Sequence, residues 1–142
     1  MINRDQFIKS VRKYFEYLID EFTFLDSGVV NNSSFFFDVE YKSEWSIISI
    51  SFDIREDYLK VILYKLINGE VKDYDAIPLD QLNRLILGFI NSNEIQLNNN
   101  FFLKFTPINE FDKRLLKHAK ELRMCLKNFE IYSQLEEGSN YA

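Results

Sequence analysis

Few residues in this chain could carry acid–base, nucleophilic or metal chemistry. Its 142 residues include one histidine, His118, and one cysteine, Cys125. One of each cannot build a zinc site. No local Ser-His-Asp or Cys-His pattern surrounds His118, which sits between Lys117 and Lys120 in a helical stretch. Met124 and Leu126 flank Cys125 and mark it as a small buried side chain, not an activated thiol. The carboxylates Asp53, Glu56 and Asp57 gather at one turn, and Asp73 and Asp75 lie two positions apart on one strand. A divalent cation or an acid–base pair could use such groups. The spacing, however, lacks an Asp-x-Asp-x-Asp-Gly loop, so a solvated acidic rim is the simpler reading. The 4 glycines form no phosphate-cradling motif. These observations predict a non-enzymatic chain with no cofactor and no metal.

The elements that position these groups come from residues 35–76, which read as four successive strands. In Trp45–Ile54 the residues Ile48, Ile50, Phe52 and Ile54 alternate with Ile47, Ser49, Ser51 and Asp53, as in a half-buried strand. A tight turn at Arg55–Glu56 sets Phe52 opposite Leu59, Ile50 opposite Val61 and Ile48 opposite Leu63. Asn68-Gly69 suits a type I′ hairpin turn, pairing Leu63 with Tyr74 and Val61 with Ala76. A looser turn over Lys42–Trp45 sets Tyr41 by Ser46, Val39 by Ile48, Phe37 by Ile50 and Phe35 by Phe52. The predicted inner face is Phe35, Phe37, Val39, Tyr41, Ile48, Ile50, Phe52, Leu59, Val61, Leu63, Tyr74 and Ala76. The opposite face carries Asp38, Glu40, Asp53, Tyr58, Tyr64, Asp73 and Asp75 with serines and a few aliphatics. Two explanations stand for that surface: an ordinary wet or helix-covered sheet face, or a protein-binding face with aromatic anchors and a charged rim.

Helices complete a single α+β domain over residues 1–142. Phe7, Val11, Phe15, Leu18 and Phe22 form one stripe of a helix from about Asn3 to Glu21, capped by Asn3 or Asp5. Val29 and Val30 suggest a short edge strand. Beyond Pro78, Asp80 is a plausible cap for a helix through Leu82, Leu85, Ile86, Phe89 and Ile90, weakened by Gly88. Residues 101–105 read as an extra strand or a buried extended segment. Thr106-Pro107 supplies cap and first-turn chemistry for a last helix with the stripe Phe111, Leu115, Ala119, Leu122, Leu126 and Phe129 and a Glu110–Arg114 pair. Gln134 to Gly138 ends it.

Hydrophobic residues make up 46% and aromatics 16%, with 14 Phe and 8 Tyr, so the chain folds around a sizeable core. The net charge of −5 argues against nucleic acid or an anionic membrane as principal partner and favours a basic protein. A lone cysteine, an N-terminus without an apolar secretion segment and the absence of a long apolar run together predict a cytoplasmic protein.

The order of elements resembles a known class. A first helix leading into Glu21-Phe22-Thr23-Phe24, the strands Val39-Glu40-Tyr41-Lys42-Ser43, 48–55 and Leu59-Lys60-Val61-Ile62-Leu63, then Ile77-Pro78-Leu79-Asp80-Gln81-Leu82 and the helical 115–122 stretch, look like small bacterial immunity proteins encoded beside polymorphic or contact-dependent toxins. The likeness is one of pattern over most of the chain. It implies a non-enzymatic inhibitor that occludes a cognate toxin, with Trp45, Tyr58 and Tyr64 as anchors and Asp38, Glu40, Asp53, Asp73 and Asp75 steering and pairing. The charge is milder than that of many nuclease inhibitors in this class. A homo-oligomeric adaptor pairing through Phe36, Ile47 and Ile62, and a small ligand-binding or hydrolase domain, are the competing classes. A monomer or weak homodimer is expected.

Overall fold

The computed structural model describes residues 2–29 and 33–128; within them, the side chains of residue 67 and residues 71–75 lie outside the description. Val30, Phe129 and the expected helix end at 134–138 therefore fall outside the described residues, as does the Tyr74 side chain.

The sheet is a five-stranded antiparallel meander in the order β1-β2-β3-β4-β5, with β1 Leu25–Val29, β2 Phe36–Lys42, β3 Ser46–Asp53, β4 Tyr58–Ile67 and β5 Glu70–Pro78. The helices are α1 Arg4–Tyr14, α2 Tyr17–Asp20, α3 Leu79–Leu87, α4 Ser92–Phe101 and α5 Glu110–Lys127. The α+β class and the four-strand meander agree with the sequence reading. The fifth strand is β1, which begins earlier than the suggested Val29–Val30 edge.

The central pairing is as the alternation requires: Phe52 faces Leu59, Ile50 faces Val61 and Ile48 faces Leu63. The β2–β3 hairpin differs from the expected register by two residues, so Phe37 meets Phe52, Val39 meets Ile50 and Tyr41 meets Ile48. Its loop is tighter than expected because Ser43 closes it. The Ser43 backbone N–H donates to the Ser46 carbonyl at 2.8 Å, and Ser43 Oγ accepts from the N–H groups of Trp45 and Ser46 at 3.3 and 3.2 Å. A two-residue shift preserves which face each side chain takes. It does move Phe35 from beside Phe52 to the end of the hairpin, where its carbonyl accepts from the Ile54 N–H at 2.9 Å, and leaves it 37% exposed instead of inward, with the Arg55 guanidinium 3.6 Å from its ring centroid.

The β4–β5 hairpin begins at Asn68 (φ 55°) and Gly69 (φ 78°), as the turn chemistry predicts. A bulge between Tyr64 and Leu66 then carries β5 forward, so that Leu63 faces Ile77 and Tyr64 faces Ala76. Ile77 is 95% buried, whereas Ala76 is only partly buried, which corrects the expected inward placement of Ala76. Burying Ile77 beside Leu63 removes more apolar surface from water than Ala76 could.

The inner face of Phe37, Val39, Tyr41, Ile48, Ile50, Phe52, Leu59, Val61 and Leu63 is buried and joins one core with the helices. Phe7 of α1 lies 5.7 Å from Phe37, and Phe52 lies 4.9 Å from Phe111 of α5, centroid to centroid. Asn3 caps α1 through a reciprocal bond pair with Gln6. The expected continuous first helix breaks at Phe15 and Glu16, and the restart points Tyr17 inward, its hydroxyl donating to the Ala119 carbonyl at 2.8 Å.

Three further boundaries differ from expectation. Pro78, not Asp80, is the N-cap of α3, and Gly88 is its C-cap instead of a weak point within it. The stretch expected to be extended at 101–105 is the end of α4 and a single 3-10 turn over Phe102–Lys104. The last helix starts at Glu110, because the Asn109 side chain accepts from the Asp112 N–H at 2.8 Å and supplies a better cap than Thr106. Glu110 consequently pairs with Lys113 at 3.1 Å, and Arg114 pairs instead with Asp57 at 2.8 Å.

Arg123 ties the helical layer together. It is 94% buried and donates to both oxygens of Glu21 at 3.1 and 3.0 Å and to Asn98 Oδ1 at 2.7 Å, while its guanidinium stacks 3.8 Å from the Phe101 ring centroid. Asn98 in turn donates to the Lys120 carbonyl at 2.9 Å. Removing the guanidinium leaves a buried amide and a half-buried carboxylate short of partners, so Arg123→Met is expected to lower unfolding free energy by about 2–4 kcal/mol in a urea titration. Ile50→Asp puts an unpaired charge between Val39 and Val61 and is expected to cost more than about 4 kcal/mol, read as loss of the cooperative transition by circular dichroism.

Candidate protein-binding face

The outer face is a grid set by strand register. One row runs Phe36, Asp53, Tyr58; the next Asp38, Ser51, Lys60; the next Glu40, Ser49, Ile62 with Pro78; and the last Lys42, Ile47, Tyr64 and Ala76. The packed α1, α3 and α5 core residues gather on the inner face. Phe36, Glu40, Ile47, Lys60, Ile62 and Tyr64 are partly exposed, and Tyr58 is 57% exposed. Ser49 and Ser51 have little exposed surface, yet Ile50 and Val61 on the reverse side are also buried. The two serines are short side chains set in their rows between longer ones from β2 and β4.

Asp38 lies beside these serines on β2. It is 94% buried, and its Oδ1 accepts a 2.7 Å hydrogen bond from Ser49 Oγ, diagonal to it on β3. Desolvation raises its pKa, with the Ser49 bond and the charge of Lys60 pulling the other way. Glu40, two positions along β2, is also raised, first by burial and then by the neighbouring Asp38 charge. Among the described residues neither carboxylate makes an ion pair. The Asp38–Ser49 bond was not anticipated from sequence; its only signal is the proximity of the two positions in adjacent strands once the hairpin is closed.

The other sequence-derived candidates are distributed differently. Asp53 Oδ1 accepts from the backbone N–H groups of Arg55 and Glu56 at 2.9 and 3.3 Å and so shapes its own turn. Tyr58 adjoins it in the same row, and Tyr64 lies at the opposite end of the grid. Trp45 sits on the β2–β3 turn with its ring packed edge-on to Phe24 at 5.9 Å, which links it to the core as much as to the outer surface. Asp73 and Asp75 lie on β5, their side chains outside the described residues. Asp38, Glu40 and Tyr58 thus share the face most plainly.

Other chemistry is sparse. Among the described residues, no group of three His, Cys, Asp or Glu is placed to hold a metal ion, and no helix is long and apolar enough to cross a membrane. Cys125 is buried, and burial with the nearby Glu121 charge pushes its thiol up to about 12. A cavity of about 680 Å³ between α1 and the start of α5, lined by Lys9, Ser10, Tyr14, Ile108 and Phe111 among others, includes no residue of the outer face. A second, of about 470 Å³ beside Asn3, Ser33 and Phe37, includes none either.

No protein-family model, curated protein or solved structure matches this chain.

The Asp38 shift carries a sign. A carboxyl whose folded pKa is raised binds more protons folded than unfolded, so stability falls as pH rises from the ordinary carboxylate range through the raised value. Asp38→Asn is therefore expected to be more stable than the parent at neutral pH, with the difference shrinking as pH drops below that range, measured by thermal unfolding over a pH series.

Proposed function

We propose that this chain is a non-enzymatic protein-binding module of the immunity type, which acts in the cytoplasm and neutralises a bacterial toxin by covering its active site with the outer sheet face. The observation that supports this reading most directly is the Asp38–Glu40 pair. Two partly desolvated carboxylates two positions apart on β2, neither of them in an ion pair among the described residues and only Asp38 eased by the nearby Lys60 charge, are held at a cost that a partner's lysine or arginine would offset on docking. Tyr58, exposed at the end of the same face, supplies rigid amphipathic area of the kind that anchors interfaces.

The partner chemistry that fits is a basic protein surface. Its cations would enter beside Asp38 and Glu40, while Ile62 in the Glu40 row and Ile47 in the next offer apolar contact. Inhibition would follow from steric exclusion at the toxin's site and needs no reaction on this chain. A second reading, self-association through the same face, draws on the half-buried Phe36, Ile47 and Ile62. A mass that stays monomeric across concentrations in light scattering excludes it.

The test is whether a basic toxin domain is encoded beside this chain and whether the chain binds it. Glu40→Lys and Tyr58→Ala are each expected to weaken binding at least tenfold in calorimetry, with neither lowering unfolding free energy by more than about 0.5 kcal/mol. Full binding by both variants would overturn the docking face. Capture from native cells that recovers no protein partner, together with no protection against the toxin, would overturn the immunity reading itself.

A further inference from the structure

On α5, His118 and Glu121 stand about one turn apart, and their side chains face each other: His118 Nδ1 lies 3.5 Å from Glu121 Oε1. Both atoms are closed off from solvent, and neither has a hydrogen-bond partner of good geometry. The other Glu121 oxygen accepts from Asn83 Nδ2 of α3 at 3.1 Å, which fixes the direction of the carboxylate. A neutral imidazole carries a single ring proton, on one nitrogen or the other. With that proton on Nε2, the Nδ1 lone pair would face carboxylate lone pairs where no water can intervene, an arrangement that is costly in a buried setting. With the proton on Nδ1, the same contact becomes an N–H···O⁻ interaction.

We infer that Glu121 is a positioning residue that holds His118 as the Nδ1–H tautomer, so that Nε2 presents its lone pair to solvent as a nucleophilic and hydrogen-bond-accepting site for an acyl electrophile or a donor group. The His118 side chain is 23% exposed, and among its ring nitrogens only Nδ1 is sealed. Nε2 makes no hydrogen bond within the described residues. Asn83 is the anchor that keeps Glu121 from turning away to water. This site lies on α5 and α3 and shares no residue with the outer sheet face.

Because the chain holds one histidine, its ring signals are read without assignment ambiguity. Long-range ¹H–¹⁵N spectra of the folded protein, at a pH where the imidazole is neutral, are expected to show Nδ1 protonated and Nε2 bare. In Glu121→Ala the ratio is expected to reverse toward the Nε2–H form that predominates in free imidazole side chains, with backbone amide dispersion reporting that the variant is folded. Diethyl pyrocarbonate probes the outward nitrogen. Nε2 attacks one carbonyl carbon and expels ethyl carbonate, which breaks down to carbon dioxide and ethanol, and the acylated ring sheds its Nδ1 proton; one carbethoxyl group on Nε2 is expected. A parent protein with Nε2 protonated, a folded Glu121→Ala with an unchanged tautomer, or a His118 that resists acylation by excess reagent would each overturn the inference. If Glu121→Ala does not fold, the parent spectrum and the acylation decide alone.

Discussion

Strand β3 imposes the constraint on which the architecture rests. It is hydrogen-bonded on both sides, to β2 and β4, and its side chains alternate between a sealed apolar layer and a serine-rich outer face. A one-residue slip on either flank would exchange Ile50 with Ser49 or Ser51 and expose the whole apolar set. The cost of that exchange, several buried aliphatic side chains at about 1.5–3 kcal/mol each, makes the parity effectively immovable. The helices, the hairpin lengths and the placement of the outer residues all follow from it.

The helical layer is held by different means. Apolar packing brings α1, α3 and α5 onto the inner face, but the relative placement of α2, α4 and α5 is specified by a polar cluster in which every named atom is used. Arg123 reads the Glu21 carboxylate with two donors and Asn98 with a third, and Asn98 reads the α5 backbone. Such a cluster adds orientation that apolar contact does not, because a guanidinium fork accepts few geometries. The short α2 and the break at Phe15 bring Glu21 to that fork.

Much of the sheet was legible because period-two alternation over β3 and β4 admits one parity and because Arg55–Glu56 and Asn68-Gly69 are strong turn signals. Register on the flanks was less legible. The Ser43 side chain shortens the β2–β3 loop through hydrogen bonds that compete with ordinary turn geometry, and the bulge near Tyr64 depends on Ile77 being a better core residue than Ala76. Helix α4, ahead of the stretch at 101–105 expected to be extended, had no legible signal since Ile95 and Leu97 are exposed on it, while the side chain that anchors it is Asn98, a polar residue with no apolar period to announce it. Of the binding candidates, the identity of the face was readable from alternation. The depth of Asp38 was not, since burial on a polar face is set by the height of neighbouring side chains.

At the first strand the sheet ends in a way that limits how anything can join it. Between Asp26 and Gly28 the pairing slips, Gly28 adopts φ 98°, and the Asp26 carboxylate takes the Gly28 N–H at 2.8 Å while its other oxygen holds Arg12 at 2.9 Å. That irregularity distorts the row of backbone donors and acceptors that an incoming chain would need to extend the sheet, and the ion pair ties the distorted strand to α1. Strand addition at this margin is thereby discouraged, along with the fibrous stacking that open margins invite. Main-chain templating, which any extended peptide can satisfy, is the mode of association that such a margin disfavours.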